Sequence, residues 1–437
     1  MKERFATWAE QWVILLERLE RRRARVRPLA IKPPAEEEEL LEAERRLGIA
    51  LPQAVREILR EGSREVNVTW WLPDWTIVRF SSSGDFGWSL DDMEWPDFGG
   101  DLDEAGGRYL AFYCAHNGDY VLFDREKDPE NPAVVGWDHE TDEFVLLAPS
   151  FQEYIERVTA LSCIGAECCE YESYCDGHGL DLQGEAALGW TAWIEQYLST
   201  TLADAASSLD KLVLYASMHG LEAERVKEAF DEYDSAIVLR EWQHRLESES
   251  ESYRKKEWCV LLAGTVGPVA ADWVRSLWRD ASHSYSLAGE PLHYLTAACL
   301  PVAEGLYLVC GELERTDEDR KISGFTANGA LWFFRNRAAL PWMEKHVSFP
   351  IDGWDSLFAV CEPEWSDVGQ WLAGNDVQRQ TAVSGLGIMI RGKASPSGEP
   401  DAALLINLLE LVKQQSVLRK EKERVDLVLS HFAADWR

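Results

Sequence analysis

Apolar positions near the start of the chain recur at helical spacing. Trp8, Trp12, Leu15, Leu16 and Leu19 fall three and four residues apart and predict an amphipathic opening helix, followed by a basic cluster at Arg21, Arg22, Arg23 and Arg25. Pro33 and Pro34 interrupt the pattern. Glu36 to Glu39 then open a second helix, where carboxylates suit the positive end of the dipole, with Leu40, Leu41 and Leu47 facing inward and Gly48 as its stop. Pro52 suits the first position of a third helix, whose stripe is Val55, Ile58 and Leu59. The period then changes. Tyr109–Cys114 and Tyr120–Asp124 read as strands around His116-Asn117-Gly118-Asp119, a strong hairpin signal. Ala133–Trp137 and Phe144–Leu147 form a second pair around His139 to Asp142. Ser150 and Glu153 make a capping box, and Phe151, Tyr154, Ile155, Val158 and Leu161 are the buried face of the helix that follows.

Beyond about residue 185 the strand signal fades. Leu209, Leu212, Val213 and Ala216 form a helical stripe stopped by Gly220, and Trp258–Trp278 and Leu292–Leu313 read as long buried helices. Val368, Trp371 and Leu372 end at Gly374, and two more stripes follow around Leu404–Val412 and Val425–Phe432. The predicted fold class is an α+β N-terminal domain, a mainly antiparallel sheet with flanking helices, followed by an all-α helical array of HEAT-like form. The expected domains are residues 1–165 and 185–437, joined by a Cys-rich linker at 166–184.

Charge narrows the function classes. The 437 residues carry a net charge of -32, and residues 51–200 alone hold 30 acidic and 8 basic side chains. Phosphate neutralisation needs Lys and Arg, so a general nucleic-acid binder or an anionic membrane surface is not expected. No apolar run is long enough to span a bilayer, and the charged N-terminal stretch does not read as a secretory signal. Nine cysteines in a large chain read as reduced thiols, so the expected location is the cytoplasm. The chain has no Gly-x-Ser-x-Gly, no phosphate-binding loop, no dinucleotide fingerprint and no paired-histidine zinc helix. It is read as a non-enzyme with no cofactor and no catalytic residue.

The N-terminal motifs resemble the SUKH superfamily (Smi/Knr-type domains) over roughly residues 1–160. The matching stretches are Ile31 to Pro34 leading to Leu40, Leu47-Gly48-Ile49-Ala50-Leu51-Pro52, Asn117-Gly118-Asp119-Tyr120, Pro132 to Val135 with His139-Glu140, and Ala148-Pro149-Ser150-Phe151. Gly62-Ser63 stands where members often carry Asn-Gly, and residues 70–107 align to nothing. The resemblance implies non-enzymatic work. Bacterial members look like immunity proteins that bind and neutralise a cognate toxin inside the producing cell, and fungal relatives resemble cell-wall signalling scaffolds.

Two constellations stand beside that resemblance. Asp74, Asp85, Asp91, Asp92, Glu94, Asp97, Asp101, Asp103 and Glu104, interleaved with Trp75, Trp88 and Trp95, read as a docking face for a basic toxin. The bland alternative is a solvated charged face with tryptophans in the core, expected for Trp70 or Trp71. Cys163, Cys168, Cys169, Cys175 and His178 offer soft zinc ligands, but their spacing matches no standard knuckle, so free thiols are the preferred reading and no metal is assigned. The expected function is an immunity protein that occludes a basic toxin, a nuclease or another secreted effector. The alternative is a cytosolic scaffold or regulator of the Smi/Knr type. The oligomeric state is left open.

Overall fold

A computed structural model describes residues 1–98, 107–223, 225–279, 287–316 and 322–432. They divide into two compact units, Met1–Val226 and Lys227–Arg437.

Helix α1 (Lys2–Arg21) buries Phe5, Trp8, Trp12, Leu16 and Leu19, the stripe its spacing predicts. Helix α2 (Glu37–Leu47) begins with a capping box between Glu36 and Glu39 and ends at Gly48, whose φ of 72° is left-handed. Leu41 turns outward, because it sits one step off the Leu40–Ala43–Leu47 face. Helix α3 is Gln53–Glu61.

The first sheet centres on β3 (Glu65–Trp71). β4 (Ser83–Ser89) pairs with it antiparallel along its full length. The short strands β1 (Arg25–Val26) and β2 (Ala30–Ile31) share its other edge. The second sheet is an antiparallel meander of β5 (Tyr109–Cys114), β6 (Tyr120–Asp124), β7 (Ala133–Trp137) and β8 (Phe144–Ala148). Glu94 exchanges backbone hydrogen bonds with Ala111 of β5, and Tyr113 Oη donates to Asp85 Oδ1 at 2.6 Å, so the two sheets are joined. Helix α4 (Phe151–Ala160) closes the α+β layer; Ser150 caps it by accepting from the Glu153 N–H, while the Glu153 side chain pairs with Arg157 rather than completing the predicted capping box.

Buried indoles organise this unit. An indole N–H taken out of water requires an acceptor. Trp12 donates to Thr159 Oγ1 (3.0 Å), Trp70 to the Ser162 carbonyl (3.0 Å) and Trp190 to the Leu161 carbonyl (2.8 Å). Three elements are thereby tied to the C-terminal end of α4. Trp88, read from sequence as a surface residue, is buried: it meets Phe5, Trp12, Phe86 and Phe151 edge-on and donates to the Ser63 carbonyl. It lies on the core side of β4, opposite Val66, and β4 places alternate residues on opposite faces.

Residues 166–184 are not a linker between units. They form helix α5 (Cys168–Glu172) and the hairpin β9 (Cys175–Asp176) and β10 (Gly179–Leu180), packed on the first core through Tyr171, Tyr174 and Leu180. Helix α6 (Glu185–Ser199) adds Trp190, Ile194 and Tyr197 to the same core, and the later helix Leu209–His219 adds Met218. The first unit therefore runs to residue 226 rather than 165, because these aromatics have their partners in the α+β core.

The described residues of the second unit form helices and turns with no strand. The predicted run Trp258–Trp278 is broken into Ser252–Val266, a short 3-10 turn at Gly267–Ala270 and Ala271–Arg279, because Pro268 cannot continue the ladder. Helices Glu290–Cys299 and Val302–Thr316 are likewise separate, with Pro301 between them. A core of Met343, Trp354, Phe358, Trp371, Leu386, Leu409 and Val428 draws on the later helices.

Glu170 on α5 accepts from Ser81 Oγ (2.7 Å), just before β4, and from Ser83 Oγ (3.2 Å), its first residue. Burial pushes its carboxyl up to about 7, and Glu167 and Asp85 add to the rise against the two hydroxyls. A carboxyl raised above its unfolded value of 4.5 stabilises the fold fully below that pH and loses this contribution as pH climbs through about 7. Glu170→Gln keeps an acceptor without the charge. The variant is expected to match the wild type at pH 4.5 and to exceed it by about 2 kcal/mol at pH 8, as read by thermal unfolding at both values.

Candidate partner-binding face

The meander has two unlike faces. Leu110, Phe112, Val121, Phe123, Val134 and Leu147 point into the main core. The opposite face carries its own small cluster, Ala111, Leu122, Val135 and Trp137, ringed by half-buried Tyr109, Tyr120, Phe144 and Leu146. Tyr109 and Phe144 come from the two edge strands and stack across the face at 4.5 Å. Tyr120 and Trp137, opposite each other on β6 and β7, stack at 5.7 Å. Phe98 lies over this face, 4.8 Å from Trp137 and 5.8 Å from Phe144.

Carboxylates surround the aromatics. Asp97 adjoins Phe98, Asp138 adjoins Trp137 and Glu143 adjoins Phe144; Glu140 and Asp142 stand exposed at the β7–β8 turn. Tyr120 Oη lies 3.4 Å from Glu94 Oε1. Arg108 is the cation at this rim, and it is committed: it grips Asp124 with two 2.8 Å bonds and pairs with Glu126. Trp137 Nε1 is buried and has no acceptor among the described residues. The face therefore combines a buried apolar cluster, a ring of half-buried aromatics and a negative border.

One buried carboxylate shapes it. Asp119, only 2% exposed, accepts from His139 Nδ1 (2.7 Å), the His139 N–H (3.1 Å), Asn117 Nδ2 (2.9 Å) and the Cys168 N–H (2.8 Å). Burial raises its pKa, but the bonds from His139, Asn117 and the backbone outweigh burial and hold it below the ordinary carboxylate value. The bond to Asp119 in turn holds His139 above the usual imidazole value. Asp119 thus fixes two of the three hairpin tips of the meander, β5–β6 and β7–β8, and the first turn of α5. Sequence reasoning passed over it as a site. The available signal was the Asn-Gly-Asp tip together with His139-Glu140, whose link spans 20 residues and is invisible without the fold. Asp119, Asp138 and His139 are also the one group of three potential metal ligands with close donor atoms among the described residues. The Asp119 oxygens are already spent on protein donors, so the arrangement is a structural tie.

The sequence-predicted docking residues separate into two places. Asp91, Asp92 and Glu94 are exposed where the chain leaves β4, and Asp97 follows them. Trp95 is half-buried, donating to the Leu47 carbonyl with Arg125 over its ring. Asp85 is half-buried within the β3–β4 layer, where Thr69 and Tyr113 donate to it. Asp74 and Trp75 lie at the other end of the seven-residue β3–β4 ladder, about 20 Å away along the strands, where Trp75 packs over Gly220. Trp88 is in the core. Asp101, Asp103 and Glu104 lie outside the described residues. The aromatic platform of Tyr109, Tyr120, Trp137 and Phe144 was read only as strand.

The cysteines do not converge. Cys163 and Cys168 are buried, Cys169 is exposed and Cys175 is half-buried, all as free thiols. Burial pushes Cys163 and Cys168 well above the usual thiol value and Cys175 up to about 12. His178 is exposed.

Asp119→Ala removes four accepted hydrogen bonds at once and strands the buried Cys168 N–H. The expected loss is about 3 kcal/mol at pH 7 in urea unfolding. Because the Asp119 pKa lies below its unfolded value, its contribution holds above that value and fades as pH falls through the folded one. The deficit of the variant should therefore shrink in acid.

Comparison with protein-family models matches residues 34–157 to the SMI1 / KNR4 family (SUKH-1). The matched span runs from the Pro34 entry of α2 into α4 and contains both sheets except β1 and β2. No curated protein and no solved structure matches the chain. No helix among the described residues is long and apolar enough to cross a membrane.

Proposed function

We propose, from the premise that residues 34–157 form a domain of the SMI1 / KNR4 family (SUKH-1), that this chain is an immunity protein holding a basic toxin by its aromatic meander face. The observation that carries the reading is the combination on one face: stacked Tyr109, Tyr120, Trp137 and Phe144 inside an acidic border. Rings of this kind anchor interfaces at small entropic cost, and they account for slow dissociation. The border accounts for rapid, salt-sensitive encounter with a cationic surface.

The proposed mechanism is stoichiometric occlusion without catalysis or cofactor. A nuclease toxin presents Lys and Arg for phosphate, and the border Glu94, Asp97, Asp138, Glu140, Asp142 and Glu143 offers the same charge sign as its substrate. The proposed setting is the cytoplasm of the producing cell, with neither nucleic acid nor membrane as partner.

The test is binding between the full chain and the basic C-terminal domain of a toxin encoded beside it, followed by surface kinetics at low and high salt. A tight one-to-one complex is expected. Its association rate should fall as salt rises, and Glu94→Lys with Asp97→Lys and Glu143→Lys should slow association about tenfold at low salt. Asp74→Lys, at the far end of the β3–β4 ladder, should change it less than about twofold. If several weak partners replace a single tight one, the scaffold reading takes its place.

A further inference from the structure

Residues 18–32 contain seven basic side chains and one acidic, inside a chain of net charge -32. Most of these cations are consumed locally. Arg18 pairs with Glu195 and Arg21 with Glu17. Arg22 donates to the carbonyls of Leu198 and Thr200, Arg23 to that of Glu222, and Lys32 pairs with Glu65. Arg25 and Arg27 are different. Both are exposed and both lie over the half-buried indole of Trp71, at 4.1 and 5.2 Å from the ring centroid. Among the described residues neither makes an ion pair.

Their placement follows from the sheet. Arg25 is the register partner of Trp71, and Arg27 donates its backbone N–H to Thr69, so both side chains share the outer face of the first sheet with the indole. The neighbouring carboxylates on that face are spent. Glu65 holds Lys32, Asp85 accepts from Thr69 and Tyr113, and Glu170 accepts from Ser81 and Ser83 beside it. A guanidinium laid on an aromatic ring loses rotamer freedom while its in-plane N–H groups stay available.

We propose that Arg25 and Arg27, preorganised on Trp71, form a binding site for a phosphate monoester dianion. Two forks side by side match two charges and three acceptor oxygens, where a lone carboxylate needs only one fork. A nucleic-acid backbone fits less well. Each internal phosphodiester carries a single charge, and a bound strand would have to cross the acidic surface of the same unit. The monoester is either a free phosphate compound or a phosphorylated side chain of a protein. This site is separate from the meander face and does not rest on the toxin-binding reading.

The test is equilibrium dialysis of the full chain with radiolabelled inorganic phosphate, and calorimetry with a phosphoserine peptide, against chloride at equal ionic strength. Saturable one-to-one binding is expected. Arg25→Gln or Arg27→Gln alone should weaken it about tenfold and the pair about a hundredfold. Lysine at both positions should keep the charge but recover only part of the affinity. Trp71→Leu should weaken binding while both arginines remain, with the melting curve confirming the fold of each variant. Equal affinity for phosphate and peptide assigns a free ligand, and tighter peptide binding that depends on Arg25 and Arg27 assigns a phosphoprotein. The proposal falls if neither probe binds saturably, or if the Arg25→Gln/Arg27→Gln variant binds as the wild type does. It also falls if an unphosphorylated aspartate-rich peptide or a DNA strand binds as tightly as the phosphopeptide.

Discussion

Burying an indole N–H without an acceptor is costly, and three indoles of the first unit converge on one place that supplies acceptors. Thr159, Leu161 and Ser162, at the end of α4, receive Trp12, Trp70 and Trp190 from α1, β3 and α6. Each ring adds apolar burial, but the N–H makes the burial directional. An indole displaced by a turn would leave a donor dry, at a cost of about 1–3 kcal/mol. The chain passes through the same place in an uncommon conformation: Ser162 and Cys163 have φ near 60°, and Ala166 has φ of 102°. Tyr171 crowds Gly165 so closely that no Cβ fits there. The three indole bonds and the α5 contacts hold this segment in place.

That arrangement explains the extent of the unit. The family-matched segment ends at residue 157, yet Trp190 and Tyr197 complete its core from outside. Tyr197 Oη donates to the Arg22 carbonyl, and Arg22 reaches back to Leu198 and Thr200. The helices after residue 185 in the first unit are therefore built onto the family-matched domain as a wall, while the second unit has a core of its own.

Local pattern made much of this legible. The stripes of α1, α2 and α4, the Ser150 cap, the Asn-Gly hairpin and the meander register all depend on neighbours a few residues apart. What stayed hidden depends on distance. Trp75 and Trp88 have similar polar neighbours in sequence, but Trp75 falls in the turn between β3 and β4 and stays exposed, whereas Trp88 falls on the core side of β4. Leu41 resembles Leu40 until the helix phase is fixed by Leu47. The cysteine-rich stretch looked like a linker because its polar, glycine-containing composition conceals Tyr171 and Tyr174, whose partners lie in other elements. For the candidate site, the acidic border was readable from charge counts. The platform was not, since alternation within a strand does not say that its second face gathers aromatics from three other strands.

The acceptors at the end of α4 are mostly main-chain carbonyls, present whatever side chain stands at 161 or 162. Sequence drift there costs little, whereas an insertion or deletion moves the carbonyls themselves. The hairpin tips at 115–119 and 138–143 face the opposite limitation. They are held by the Asp119 side chain, and their exposed positions are otherwise unconstrained by the core. The side chains exposed at His116, Glu140, Asp142 and Glu143 can therefore be replaced without re-forming the interior. The outline of the tips and the charge they display are held by different atoms, so one can change while the other stays.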